Sequence, residues 1–283
     1  MKSQDKGHLY LIIASFFGGL IGVLVKLTSG VNSYNIVMFR SIIALIFISI
    51  ILIVKKQIHS LKIVKPINTI FMGIFQGLSI LFYFMAVFKT NISNAIFLVY
   101  SAPVFSMILS YIFLNERIEK KSLLGLVIVM TGILFIADPT NFSFSSQNSL
   151  GNIYALLGGF FYAAMAISVK PLMKKVSPYY ITFWQYIIMI IMFLPFYNTS
   201  VSTIINNWWQ IGIIGVFCTG ISHLFFMNGV KKVKGQQIFL VTSLEPFLSS
   251  IFAFIILNEI PSSYTLIGGI IIMLGIYIIS RKK

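Results

Sequence analysis

A single cysteine, Cys218, in a chain of 283 residues leaves no partner for an intrachain disulfide and no thiolate cluster for a metal. Histidines number three, neither of the others lies near His223 in sequence, and Cys218 is the one cysteine, so no metal is expected. No nucleophile elbow, Walker loop, HExxH helix or dinucleotide fingerprint occurs, so neither a cofactor nor an enzyme activity has a positive signal. Charge is also scarce. With 10% charged residues against 58% hydrophobic ones, the chain lacks the polar groups needed to cover a soluble globule. It reads as an integral membrane protein, and apolar segments of about 20 residues leave no room for a soluble domain.

What is present is a series of apolar runs bounded by polar clusters. They place spans at 9–28, 34–54, 67–88, 92–113, 121–138, 150–170, 178–197, 209–230, 236–257 and 263–280. The expected fold class is therefore all-α, a polytopic membrane protein of ten transmembrane helices. The first span follows Lys2 and Lys6 but is long, broken by glycine and without a convincing cleavage site, so it is expected to be retained rather than removed as a signal peptide. The net charge of +15 is accounted for by topology rather than by nucleic acid. With the N-terminus placed in the cytoplasm, seventeen lysines and arginines fall in cytoplasmic segments and only Lys89 in an outer loop. Both termini are thus expected to be cytoplasmic, in the cell (plasma or inner) membrane.

The chain repeats itself. A shift of 143 places brings Pro103 onto Pro246, Ser106 onto Ser249, Asn115 onto Asn258, Glu116 onto Glu259, Gly125 onto Gly268 and Gly132 onto Gly275. A shift of 144 aligns the earlier part, with Tyr10 on Tyr154, Lys26 on Lys170 and Ser33 on Ser177. The unit is about five helices, giving a first repeat at 1–140, a connecting loop at 141–149 and a second repeat at 150–283. The turn Arg117 to Lys121 carries three cations and its counterpart Ile260 to Tyr264 none, as expected when the copies face opposite sides of the membrane.

Of the six acidic residues, only Glu245 lies deep in a span, about 14 Å from the helix start at 1.5 Å per residue. An ionised group there costs roughly 2.5–3.5 kcal/mol on insertion scales, so it needs a partner, a wet cavity or a function. Two readings stay open: Glu245 pairs with a cation and fixes packing, or it handles substrate or protons. Thr242, Glu245 and Ser249 share one helix face, and Pro246, like Pro103, marks a helix bend beside the cavity. Arg40 lies about 9 Å below its helix end, as a partner for Glu245 or an anchor for a substrate carboxylate. Lys26 and Lys170 lie near span ends, where they can snorkel to the surface, although Lys26 shares a face with Gly18 and Gly22 and is also a candidate substrate- or ion-binding group; Glu116 and Glu259 are expected to end one helix and cap the next. Gln76, Tyr83, Tyr162, Gln185 and His223, with Thr219, complete the candidate cavity groups, each also explicable by packing.

The paired segments NAIFLVYSAPVFSMILSYIFLNERIEKKSLLGLVIVMTGILFI and GQQIFLVTSLEPFLSSIFAFIILNEIPSSYTLIGGIIIMLGIYII resemble EamA-type members of the drug/metabolite transporter superfamily. The features that carry the likeness are Lys26, Arg40, Pro103, the Leu-Glu-Pro at Leu244 to Pro246, and Glu116 and Glu259; Asn115 and Asn258 stand where the family often has Gly. The resemblance spans essentially the whole chain. It implies a ten-helix inverted-repeat transporter with a central cavity, often an exporter of amino acids or other small metabolites. The expected function is a secondary transporter that exports a small metabolite, an amino acid or similar zwitterion, by alternating access around a midplane cavity, with protons and the bilayer as the other partners; an oligomeric channel and an intramembrane lipid-modifying enzyme are the alternatives. Neither substrate nor oligomeric state is written in a motif.

The charge asymmetry predicts that a cysteine introduced at Ser143 is labelled by an impermeant maleimide from outside intact cells and one at Ser60 is not. The reverse pattern would invert the topology.

Overall fold

The computed structural model describes residues 3–142 and 148–280. Ser143 and most of the expected connecting loop lie outside the described residues, as do Lys2 and the last three cations. The first half contains α1 (Ser3–Lys26), α2 (Ser33–Val54), α3 (Pro66–Val87), α4 (Ile92–Val99), α5 (Ala102–Leu114) and α6 (Lys120–Ile136). The second contains α7 (Ser149–Leu172), α8 (Pro178–Phe193), α9 (Val201–Asn206), α10 (Trp208–Ile213), a π-helical stretch Ile214–Ile221, α11 (Ser222–Lys232), α12 (Gly235–Thr242), α13 (Glu245–Leu257) and α14 (Ser263–Ser280). Among the described residues nine helical runs are long and apolar enough to cross a bilayer. The fifth expected span, 121–138, contains α6, whose 17 residues fall just short of that length, so nine of the ten expected spans meet it.

Two expected spans are each broken in the middle, for the same reason. Proline offers no N–H to the carbonyl four residues earlier. Pro103 leaves Val99 without a donor and Pro246 leaves Thr242 without one, and α4 and α12 end at those residues. Each proline then sits in the first turn of the next half-helix, where a missing N–H is harmless. The breaks recur at the same place: α4 and α12, and likewise α5 and α13, begin and end 143 positions apart. Asn115 and Asn258 close α5 and α13 in the left-handed region, at φ 53° and 56°. Asparagine tolerates that conformation better than other residues with a Cβ, so it serves where glycine would.

The two halves interleave. The first helix of each half packs on helices of the other half: α1 against α11 and α13, and α7 against α3 and α5. α6 and α14 form a further seam. There a Cβ on Gly132 would stand 2.7 Å from the Gly268 carbonyl, and one on Gly275 3.4 Å from the Gly125 carbonyl. Gly125 meets Gly275 and Gly132 meets Gly268, so the two helices run antiparallel, as inverted copies must. Apolar side chains such as Ile46, Ile50, Leu124, Val127, Ile270 and Leu274 stay exposed on the outside, a surface suited to lipid.

The seam gives a stability prediction. Gly132→Ala should lower stability by about 1–3 kcal/mol through overpacking, whereas Gly212→Ala, whose new Cβ would meet nothing within 4 Å, should change it by less than about 0.5 kcal/mol. Thermal unfolding of the purified variants, followed by fluorescence-detected size exclusion, checks both.

Candidate functional site

A cavity of about 880 Å³ occupies the middle of the bundle and runs to the end that carries Lys26, Val87, Ile136 and Glu259. A volume of this order is typical of small-molecule sites. Glu245, Arg40, Lys26, Thr242, Ser249, Gln76, Tyr83, Tyr162, His223, Pro103 and Pro246 all contribute to its wall, although they come from eight different helices.

Glu245 stands in the first turn of α13, the end of a helix that favours an anion. Its seat is cut by glycines on α1. A Cβ on Gly18 would come within 3.0 Å of the Glu245 carboxyl carbon, and one on Gly19 or Gly22 within 3.0 Å of the Ser249 amide or hydroxyl. Thr242 and Ser249 reach the same cavity, but not along one continuous helix as the spacing suggested, because the chain turns at Ser243 and Leu244 between α12 and α13.

Arg40 faces the cavity from α2, and its Nε is buried without an acceptor. A direct pair with Glu245, one of the two readings open for Arg40, does not form; the lysines and glutamates pair elsewhere, as Lys26–Glu259, Lys121–Glu119, Lys170–Glu116 and Lys234–Glu119. The reason is tertiary. α13 is drawn onto α1 by the glycines, while α2 packs on α8 and the π-helical stretch. The two opposite charges therefore face one space from helices that do not pack together.

Around them the wall is aromatic. The Tyr162 and Phe239 rings lie 4.6 Å apart edge to face, and Phe226 stacks near both Tyr162 and His223. Gln185 is not a wall residue. It is fully buried behind the wall, where its amide meets His223 Nε2 at 2.7 Å and Gln76 at 3.4 Å, and so fixes both rather than facing the cavity itself. Tyr100 and Tyr186 also line the cavity and escaped the sequence reading. Tyr100 could have been found from its place beside the break before Pro103. Tyr186 could not: its hydroxyl donates to the Thr219 carbonyl at 2.9 Å, within a π-helical stretch that no residue pattern announces. Among the described residues no three His, Cys, Asp or Glu side chains gather as a metal site.

The sequence pattern of the EamA-like transporter family matches residues 5–137 and again 149–281. The chain belongs to the EamA-like transporter family. It is 25% identical to an uncharacterized transporter of Archaeoglobus fulgidus, over 98% of this chain and 97% of that one. It is 24% identical to the pseudopaline exporter CntI of Pseudomonas aeruginosa, over 98% and 96% of the two chains. Solute carrier family 35 member G1 of Homo sapiens is 21% identical, over 94% of this chain and 76% of its own. A solved crystal structure superposes with a TM-score of 0.86 at 15% identity, over 98% of this chain and 96% of the other, which shows the fold. A membrane transporter of this family is what the chain is.

The charged ends of this EamA-like chain differ from the sequence reading. Lys26 does not simply snorkel but pairs with Glu259 at 2.6 Å at the cavity mouth, and Lys170 does not snorkel at all. It is largely buried, 3.7 Å from Glu116, and donates to the Val233 carbonyl. Neither glutamate caps the helix that follows it. Glu116 instead accepts the Gly235 N–H at 2.8 Å and so caps α12, in the other half of the chain. Beside it Lys234 donates to Glu119 at 2.5 Å, Gln237 donates to Glu119 at 3.2 Å, and Gln236 donates to the Arg117 carbonyl at 3.0 Å. This network closes the end of the bundle opposite the cavity mouth.

Burial pushes the Glu119 carboxyl upward, but the Lys234 hydrogen bond and the charges of Lys234 and Lys121 outweigh it and hold the group below the usual carboxylate range. A depressed folded value means that the stabilisation is present above the ordinary carboxylate range and is lost as pH falls through the folded value. The melting temperature should therefore fall more for the wild type than for Glu119→Gln as pH drops below about 4. Equal falls would show that Glu119 is not a stabilising part of the closed end.

Proposed function

We propose that this protein is a secondary transporter that exports a small zwitterionic metabolite, an amino acid or a close relative, by alternating access around the central cavity. The observation that carries this reading is the pair of opposite charges, Arg40 and Glu245, that face one cavity without pairing. Each is expensive to keep at membrane depth without a partner, and a bound zwitterion supplies both at once: its carboxylate for Arg40 and its ammonium for Glu245. A guanidinium with a buried, unused donor is a ready seat for a planar carboxylate. The aromatic wall of Tyr162, Phe226 and Phe239 lies beside these charges and suits the apolar part of such a molecule.

When no ammonium is present, a proton on Glu245 removes the same cost, so proton and substrate compete for one group and their movements are coupled. The mouth at Lys26 faces outside by the distribution of basic residues, with both termini in the cytoplasm of a cell bounded by this membrane. Residues 1–140 and 150–283 are the two inverted repeats, and α6 completes the ten spans, since 17 residues reach about 26 Å. Export is supported by the likeness to CntI, an exporter.

Counterflow in proteoliposomes against a panel of amino acids, their amides and their decarboxylated amines tests the reading. Glu245→Gln should fold, lose pH-dependent net transport and retain exchange. Arg40→Ala should weaken the apparent affinity for carboxylate-bearing substrates about tenfold to a hundredfold while leaving simple amines little changed. An unchanged rate and pH profile for Glu245→Gln would make Glu245 a packing residue and end this mechanism.

A further inference from the structure

The two Lys–Glu pairs described above are related by the internal repeat. Lys26 corresponds to Lys170 and Glu259 to Glu116, so each pair joins the first helix of one repeat to the end of the fourth segment of the other. Their surroundings are not alike. Lys170 and Glu116 are 18% and 16% exposed, Lys26 and Glu259 58% and 49%. The helices next to them differ in the same sense. At the closed end α12 packs on α5, with the Ser106 hydroxyl donating to the Gly235 carbonyl at 2.7 Å and Glu116 capping the start of α12. The repeat-related helices α4 and α13, at the mouth, do not pack in this way.

We infer that Glu116–Lys170 and Glu259–Lys26 are two equivalent latches, of which one is engaged in each half of the transport cycle. This rests on the transporter reading and adds to it the groups that hold each end shut. In the state seen here the first latch is engaged, with its glutamate capping α12. In the other state the repeats exchange conformations: α4 swings onto α13, the Glu259 carboxylate caps the start of α4, Lys26 is buried beside it, and the Glu116 latch opens. At the mouth Lys26 and Glu259 already lie in contact, exposed, while that end is open. Burying a charge pair is favourable only when further hydrogen bonds complete it, and the helix start supplies them. An exposed pair contributes little, so the state of each end is decided by which glutamate holds a helix start.

The test uses the full-length protein with Cys218→Ser and cysteines at Ser93 and Ile260. These are the repeat counterparts of Gln236 and Arg117, which are hydrogen-bonded at the closed end. A disulfide between them, formed with copper phenanthroline, reports the state in which the Lys26 end is shut. Glu116→Gln should raise the rate of crosslinking about tenfold, the size of one charge-assisted hydrogen bond lost, and Glu259→Gln should lower it by a similar factor. Exchanging the charges as Glu116→Lys with Lys170→Glu should leave the rate further from the wild type than Glu116→Gln does, because a lysine cannot cap a helix start. Since the Lys26–Glu259 pair is exposed, Glu259→Gln folds even where Glu116→Gln does not, and its effect alone decides the matter. Neither glutamine variant altering the rate, or both altering it in the same direction, would overturn the latches. No crosslink in any background would overturn alternating access itself.

Discussion

An ionised side chain has no place in hydrocarbon, and the architecture of this protein follows from where it puts the few that it carries below the membrane surface. Three solutions are in use. Lys170 and Glu116 are buried together, completed by the Val233 carbonyl and the Gly235 N–H. Lys26 and Glu259 pair at the open mouth, where solvent shares the cost. Arg40 and Glu245 have neither solution and face a cavity instead. Only this last pair is left incomplete within the protein, which is what a binding site for a charged small molecule requires.

The scaffold obeys a twofold pattern that the chemistry does not. The half-helices α4 and α5 match α12 and α13 residue for residue in their limits, down to the left-handed asparagine that closes each second piece. Yet the position that carries Glu245 in the second repeat carries Ala102 in the first. Duplication supplies matching half-helices in both copies, and divergence leaves the buried carboxylate in one of them while residues of both copies line the cavity.

Close approach is the second constraint. Without a hydrophobic driving force between helices in lipid, small residues that let backbones touch carry much of the association. Gly132 and Gly268 do this between α6 and α14, and Gly18, Gly19 and Gly22 do it between α1 and α13. The second contact has a consequence for the site, because it holds Glu245 against α1 and away from Arg40.

The amino-acid sequence by itself determined the class, the duplication and the charged groups that reach the cavity. Hydropathy over about 20 residues is a local property, the repeat shows in ungapped matches of rare residue types, and a polar group inside an apolar run is conspicuous wherever the helix goes. Proline acts on its own helix, so the breaks at Pro103 and Pro246 were legible too. What only the tertiary structure decided is which of these groups meet. The pairing of Lys26 with Glu259 spans 233 positions, and Glu116 caps a helix in the other repeat rather than the one that follows it. Gln185 lies behind the wall instead of on it, and Arg40 stands apart from Glu245. Such contacts depend on how interleaved helices rotate and cross, and those angles are set by the packing of whole faces, which no single position in the sequence encodes.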